Sequence, residues 1–183
     1  MDEVWDIMQK QLYFTANAFE FSILAFVLMS NHYHKILLAP KGNLSEGMAW
    51  FGRETSREIV RASGRINMTY SGRFFRSNIQ SHHYFLNCYK YLYRNPVEAG
   101  LASRVEDYKW STLPGLLGQT HLLVPVCEDA TLFNDVNGTL NWLNCNPKEE
   151  NWKAIKKGLK HPIFRLAKDR NTKKAHALET ELL

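Results

Sequence analysis

The stretch from residue 19 to residue 39, FEFSILAFVLMSNHYHKILLA, decides the fold. Its first part, Phe19 to Met29, is rich in the β-branched and aromatic residues that favour strands. Ser30 and Asn31 follow, and HYHKILLA (residues 32–39) again has the composition of a strand. Two strands separated by two residues predict an antiparallel hairpin.

The second strand carries two histidines with one residue between them. Residues i and i+2 of a strand project from the same face, about 7 Å apart along the chain. His32 and His34 can therefore direct ring nitrogens to one point, while Tyr33 faces the other side. Imidazole suits divalent transition-metal ions, and an oxygen ligand would extend the choice to magnesium or manganese. The chain has seven histidines, so chance produces such pairs often, and the pair alone favours ordinary half-buried histidines over a metal site.

Helices are predicted on both sides of this hairpin. Apolar periodicity indicates a helix over residues 2–17, and Asn43 is a predicted N-cap for a long helix over residues 44–63. Ser81 is the predicted cap of another helix, which should end at Asn95 because the residue before Pro96 disfavours helical geometry. This order of elements predicts an α+β fold, in which helices back an antiparallel sheet.

The helix before Pro96 contains the segment YKYLYRN, residues 89–95. Positions i and i+4 share a helix face, so Tyr91 should lie beside Asn95, with Tyr89 and Tyr93 directed elsewhere. An amide oxygen can serve as a third metal ligand, and a phenol can attack an electrophile that a metal polarises. By themselves, however, tyrosines on a helix are more often packed against a neighbouring layer.

Three segments taken together, AFVLMSNHYHKILL, YLYRNPVEAGL and DYKWST, resemble the single-tyrosine HUH transposases. The branch they resemble most is that of the REP-associated tyrosine transposases. The resemblance covers about residues 4–115 and implies a ferredoxin-like HUH nuclease fold. It makes Tyr91 the expected nucleophile and makes His32, His34 and Asn95 the expected ligands of a Mg or Mn ion.

The resemblance also implies an activity: metal-dependent cleavage and transfer of single-stranded or hairpin DNA, through a 5′-phosphotyrosine and a free 3′-hydroxyl. Two other interpretations stay open, a catalytically inactive or domesticated hairpin-binding protein of the same fold and a small metal-dependent hydrolase. Family members normally begin with a strand ahead of the first helix, whereas this sequence predicts the helix as its first element, so we expect a sheet without that strand or a truncated start. We therefore expect a nuclease domain over residues 1–115 and a basic, helical, DNA-contacting extension over residues 116–183.

The formal charge of +5 is concentrated at one end of the chain. Residues 146–183 hold ten Lys and Arg against five Asp and Glu, and the rest of the chain holds thirteen of each. A clustered basic excess indicates a polyanionic partner. On the long helix, Glu54 and Glu58 could neutralise the arginines, so a salt-bridged solvent face is equally open. The predicted DNA contacts are Arg53, Arg57, Arg61, Arg65, Arg73, Arg76, Lys153, Lys156, Lys157, Lys160 and Arg165.

The remaining composition sets the expected environment. Hydrophobic residues make up 45% and charged residues 22%, as is usual for soluble globular domains. No apolar run approaches the roughly 20 residues of a membrane-spanning helix. The three cysteines form no CxxC, which favours reduced thiols and a cytoplasmic location. We expect no membrane partner, and a monomer or a homodimer.

Overall fold

The computed structural model describes residues 1–64, 69, 74–168 and 172–183. Contacts divide the chain into two compact units. The first unit comprises residues 1–74 and 106–136, and the second comprises residues 75–105 and 137–183. Both units are discontinuous in sequence. The sequence boundary expected near residue 115 stays a prediction about domain organisation.

The first unit contains the predicted hairpin, which is confirmed. Strand β1 spans Ser22–Leu28 and pairs antiparallel with β2, Tyr33–Leu38. The backbone N–H of Met29 donates to the carbonyl of His32 at 2.8 Å, so Ser30 and Asn31 form the two-residue turn. The other edge of β1 is occupied by single bridges, from Val27 to Ser111 and from Ile23 to Val126.

Helices α1, Asp2–Phe19, and α2, Leu44–Ser63, back the hairpin. Their apolar residues meet those of β1 in one core, where helical residues spaced four apart lie on the same face. That core consists of Met8, Leu12, Ala16, Ile23, Phe26, Leu28, Met48, Phe51 and Val124. The α+β class with antiparallel strands is thus confirmed. The first element is α1, and the HUH-specific strand arrangement stays a prediction.

Asn43 occupies the N-cap position of α2, as predicted, but its side chain does not cap the helix. Its amide instead donates to the carbonyl of Phe19 at 3.0 Å. The residue therefore ties the start of α2 to the end of α1, and the capping role assigned from sequence is wrong.

A buried amine lies beneath the hairpin. The Nζ atom of Lys35 is 4.0 Å from the ring centroid of Phe51 and 5.5 Å from that of Tyr33. It has no hydrogen-bond partner among the described residues, and burial lowers the pKa of Lys35 to about 7. The face of β2 that carries Tyr33 and Lys35 is therefore packed against α2.

Two short helices complete the first unit, α4 at Thr112–Leu116 and α5 at Ala130–Phe133. The α4 segment is fixed to β1 through side chains: Thr112 Oγ1 accepts from the backbone N–H of Phe26 at 3.1 Å. The hydroxyl of Tyr108 donates to the carbonyl of Leu28 at 2.7 Å. These bonds satisfy backbone groups of β1 that β2 does not reach.

The second unit is built on helix α3, His82–Glu98, with Ser81 as its confirmed cap. The helix continues past Asn95 to Glu98, so the predicted end at Asn95 is wrong. Pro96 lies in the last turn, where the helix tolerates it, and the carbonyl of Asn95 still accepts from the N–H of Ala99 at 3.0 Å. The second unit also contains most of α6, Val136–Asn144, and all of α7, Glu149–Gly158.

Arg94 of α3 is 3% exposed and binds the end of α6. Its guanidinium donates to the carbonyl of Leu143 at 3.2 Å, to that of Asn144 at 2.7 Å and to Asn146 Oδ1. The last carbonyls of a helix have no partner within that helix. A buried cation at this position both satisfies those carbonyls and favours the negative end of the helix dipole.

The last described residues bind the first turns of α3. The ring of His83 donates to the carbonyl of Leu178 at 2.8 Å, and the N–H of Leu183 donates to Asn87 Oδ1 at 2.6 Å. The hydroxyl of Tyr84 binds Glu179 at 2.5 Å. The chain end therefore packs along α3 within the second unit.

Burial of Lys90 in α3 generates a prediction about pH. Lys90 is 2% exposed, and its Nζ lies 5.4 Å from the ring centroid of Trp142. Burial lowers its pKa from 10.5 to about 8, with Cys145 opposing the change and Arg94 adding to it. Below about pH 8 the amine is charged in both the folded and the unfolded protein, and folding carries the full free-energy cost of burying that charge. Between about pH 8 and 10.5 the unfolded chain binds more protons, so this cost falls as pH rises.

We expect Lys90→Met to raise the free energy of unfolding at pH 7 by about 1–3 kcal/mol. The gain should shrink at pH 10, because wild-type Lys90 is then neutral when folded. Urea titrations at both pH values measure this difference. Lys156→Met, at an exposed position of α7, is the control and should change stability by less than about 0.5 kcal/mol. An equal gain at pH 7 and pH 10 would contradict the prediction.

Candidate catalytic and metal-binding residues

The two histidines of the hairpin lie side by side. His32 is exposed and immediately precedes β2, and His34 lies within β2 opposite Val27. Their Nε2 atoms are 3.1 Å apart, and their rings are perpendicular with centroids 4.8 Å apart. The strand geometry predicted from sequence is confirmed, because both rings project to one side. Tyr33 faces the other side, against Phe26 and Phe51 at centroid distances of 5.8 and 5.6 Å.

The separation of the two nitrogens fits a shared metal ion. Nitrogen ligands lie about 2.0–2.1 Å from such ions, so two ligands at tetrahedral or octahedral angles are roughly 2.9–3.4 Å apart. The 3.1 Å between the Nε2 atoms falls in this interval. The pair could therefore supply two adjacent ligands without a large movement of the backbone.

Within the described ranges, no group of three or more His, Cys, Asp or Glu side chains could hold a metal ion. A third ligand beside the pair would therefore have to come from another chemical group. Amide oxygens, water and phosphate oxygens are the ligands that magnesium and manganese accept.

Tyr91 and Asn95 lie on α3, in the second unit, whereas the histidine pair belongs to the first. The side-chain amide of Asn95 donates to the carbonyl of Tyr91 at 2.6 Å. Burial raises the pKa of the Tyr91 hydroxyl above its ordinary value, and a hydrogen bond with the Asn95 side chain acts in the opposite direction. The predicted neighbourhood of Tyr91 and Asn95 is therefore confirmed, although the roles assigned to these residues stay predictions.

The ring of Tyr91 is a packed group. It is 5% exposed and lies against Trp152 of α7, with ring centroids 4.4 Å apart and planes inclined by 34°. Tyr89 and Tyr93 pack on each other at 4.9 Å, edge to face. Tyr91 thus differs from the other two in its partner, which is a half-buried tryptophan.

Of the predicted DNA contacts on α2, Arg53, Arg57 and Arg61 are exposed. Glu54 pairs with Arg53 at 2.9 Å and with Arg57 at 3.4 Å, and these partners lower the pKa of Glu54. Glu58 instead pairs with Lys10 of α1 at 2.8 Å, so this carboxylate is engaged by another helix. Exposed pairs of this kind contribute little to stability, so both arginines can exchange Glu54 for a phosphate.

The other predicted contacts have diverse surroundings. Lys153 pairs with Glu149 at 2.6 Å within α7. Phe74 packs against the core of the first unit, while Phe75 is 64% exposed. Arg65 and Arg73 lie outside the described residues. The remaining exposed contacts are Arg76, Lys156, Lys157, Lys160 and Arg165.

Two residues beside the predicted site were not predicted from the sequence. Asn31 Oδ1 lies 2.6 Å from His32 Nδ1, and Trp152 covers the ring of Tyr91. An amide directly before a candidate ligand histidine was a readable signal for Asn31, since ligand histidines commonly bind a second group through their other nitrogen. No sequence signal links Trp152 to Tyr91, because only the packing of α7 on α3 brings them together.

The fold and these residues define an α+β protein with a paired-imidazole hairpin and a helix that carries a tyrosine beside an amide. The chain is similar to the REP-associated tyrosine transposase of Escherichia coli (strain K12), with 30% identity over 92 residues. That match covers 50% of this chain and 54% of the transposase, so the chain spans about half the length of the curated relative. The similarity indicates a distant relationship to that transposase.

No family model matches the chain, and no solved structure gives a significant match. Across the described part of the chain, no helix has the length and apolar character needed to cross a membrane.

The contact between Tyr91 and Trp152 generates a prediction about stability. Trp152→Ala removes the ring that covers Tyr91, and we expect a loss of about 2 kcal/mol in the free energy of unfolding. Trp152→Phe keeps an aromatic partner and should lose less than half as much. Urea unfolding followed by circular dichroism measures both variants. Equal losses for Ala and Phe would show that the ring contact does not stabilise the protein.

Proposed function

We propose that the chain is a metal-dependent endonuclease and strand transferase for single-stranded or hairpin DNA, acting through a 5′-phosphotyrosine on Tyr91. The observation that carries the proposal is the 3.1 Å separation of the His32 and His34 Nε2 atoms. The similarity to a tyrosine transposase supports the choice of substrate and reaction.

His32 and His34 are the proposed nitrogen ligands of a Mg or Mn ion, and the Asn95 amide oxygen is the proposed third ligand. When bound, such an ion supplies Lewis-acid stabilisation of charge on a phosphate. The hydrogen bond from the Asn95 amide nitrogen to the carbonyl of Tyr91 holds that side chain at its own helix. The amide oxygen is then the end that remains for a ligand.

The proposed covalent step forms one bond and breaks one. The hydroxyl oxygen of Tyr91 attacks the scissile phosphorus, and the bond from phosphorus to the 3′ oxygen breaks. Tyr91 loses its proton, and the departing 3′ oxygen gains one. The DNA is left with a 3′-hydroxyl and a 5′-phosphate esterified to Tyr91, so a later 3′-hydroxyl can reverse the step.

The phenol of Tyr91 is protonated at neutral pH even at the ordinary pKa of tyrosine, and burial raises its pKa further. Removal of its proton must therefore accompany the attack, since a neutral phenol is a weak nucleophile. The hydrogen bond with Asn95 favours the charged form of Tyr91. Asn95 would thus assist the nucleophile in addition to its proposed role as a ligand.

Strand binding is assigned to exposed cations and one exposed ring. Arg53, Arg57 and Arg61 form a stripe on α2, and Phe75 beside Arg76 offers a surface for base stacking. Lys156, Lys157 and Lys160 are exposed at the end of α7 and beyond it. Contacts of this kind release counterions, so binding should weaken steeply as salt increases.

One observation favours a second candidate, a catalytically silent DNA-binding protein of the same fold. The ring of Tyr91 is 5% exposed and packed on Trp152, as a structural tyrosine would be. This candidate predicts hairpin binding without cleavage. The assay described next separates the two candidates.

We expect wild type to form a covalent adduct with labelled single-stranded hairpin DNA in the presence of Mn²⁺, seen as a shifted band on a denaturing gel. Tyr91→Phe should abolish the adduct, because the attacking oxygen is gone. Tyr93→Phe is the matched control, a buried tyrosine of the same helix, and should retain the adduct.

Three results would overturn the proposed covalent mechanism through Tyr91. No wild-type adduct, with hairpin binding that survives Tyr91→Phe, would favour the silent binding protein. An undiminished adduct in Tyr91→Phe would exclude Tyr91 as the nucleophile. Multiple turnover without any adduct would indicate a metal-dependent hydrolase.

The metal role is tested independently of DNA. We expect wild type to bind Mn²⁺, measured from the decrease of the free-ion paramagnetic resonance signal, and His32→Ala to bind at least about tenfold more weakly. His82→Ala changes an exposed histidine at the start of α3 and should leave the Kd unchanged. Equal Mn²⁺ affinity in His32→Ala and wild type would remove His32 from the site.

A further inference from the structure

We infer that Asn31 is a positioning residue for His32, which fixes the imidazole in the form whose Nε2 carries a lone pair. This inference deepens the proposed metal role of His32 and rests on it. It starts from one contact: Asn31 Oδ1 lies 2.6 Å from His32 Nδ1.

The contact determines which ring nitrogen holds the proton. An amide oxygen can only accept a hydrogen bond, so His32 Nδ1 must donate. A neutral imidazole has one N–H, and Nε2 of His32 is then left with a lone pair. A metal ligand requires that lone pair.

The neighbouring contact agrees with this assignment. His34 Nε2 is 3.1 Å from His32 Nε2, and one of the two nitrogens must donate. Because His32 Nε2 is the acceptor, His34 Nε2 is the donor. Before an ion binds, the proton on His34 Nε2 therefore points at His32 Nε2 and occupies the position from which His34 Nε2 would bind the ion. His34 has to change its tautomer on binding, whereas His32 is already in the binding form.

The turn explains how Asn31 reaches the ring. The bond from the N–H of Met29 to the carbonyl of His32 leaves Ser30 and Asn31 as its central residues. The side chain of Asn31 is then directly beside that of His32, and it is short enough to meet the near nitrogen, Nδ1, while Nε2 stays directed at His34. Both residues are exposed, so water competes for this bond. The amide of Asn31 is therefore needed to favour the His32 tautomer that has its proton on Nδ1.

The consequence is a preorganised ligand. Groups that bind the ring nitrogen of a ligand histidine that does not contact the metal typically change metal affinity by 10- to 100-fold. We expect Asn31→Ala to weaken Mn²⁺ binding by about tenfold, because His32 then populates the form with a proton on Nε2. Asn31→Asp keeps an acceptor at the same place and should restore at least wild-type affinity.

The test uses two readouts on the purified full chain. The first is the His32 tautomer in metal-free protein, read from two-bond and three-bond nitrogen–proton couplings of the ring. Wild type and Asn31→Asp should show the proton on Nδ1, and Asn31→Ala should shift it toward Nε2. The second is Mn²⁺ affinity for the same proteins. Ser30→Ala, the other central turn residue, is the control and should change neither readout.

The outcomes separate this inference from the proposed function. An unchanged His32 tautomer in Asn31→Ala overturns the inference. An unchanged Mn²⁺ Kd in Asn31→Ala also overturns it, provided that His32→Ala weakens Mn²⁺ binding. Failure of wild type to bind Mn²⁺, with a tautomer that still shifts in Asn31→Ala, overturns the metal requirement of the proposed function and supports the role of Asn31. If Asn31→Asp binds Mn²⁺ as weakly as Asn31→Ala, the loss of affinity comes from a disturbed turn, and the inference is overturned.

Discussion

The bond from the N–H of Met29 to the carbonyl of His32 is the constraint on which the hairpin depends. It closes the two-residue turn and thereby fixes the register of β2 on β1. A slip of one residue would exchange the two faces of the strand, moving His34 toward the core and Tyr33 to the outside. The packing of Tyr33 on Phe26 and Phe51 opposes that slip. One strand thus separates a packing face from the face that carries the paired imidazoles.

The two helices that matter for the proposed chemistry use buried polar groups differently. On α2, Arg53 and Arg57 are at the surface and share the carboxylate of Glu54, so they can rearrange at little cost. On α3, Arg94 and Lys90 are both almost fully buried. Arg94 has several oxygen acceptors, whereas Lys90 has its pKa lowered by burial. The candidate nucleophile therefore belongs to a helix whose neighbouring cations are held in place by packing.

Much of the local structure could be predicted from sequence, because it follows from short-range patterns. Strand composition, the two-residue turn and the i, i+2 spacing were sufficient to place both histidines on one face, and Ser81 was a correct cap. The predicted end of α3 was wrong for a local reason, because the last turn of the helix tolerates Pro96. Sequence patterns were less informative where tertiary contacts decided the outcome: Asn43 binds Phe19 instead of its own helix, and Glu58 binds Lys10 on another helix. Trp152 is the extreme case, since its contact with Tyr91 depends on how two distant helices pack.

That last contact has a consequence for how the protein is made. Tyr91 and Trp152 belong to one compact unit, but the chain between them leaves it to complete the other. During synthesis from the N-terminus, α3 emerges long before α7, and closing so long a loop costs entropy that only the finished contacts can offset. The ring contact that covers Tyr91 in the folded protein therefore cannot form until α7 has been synthesised.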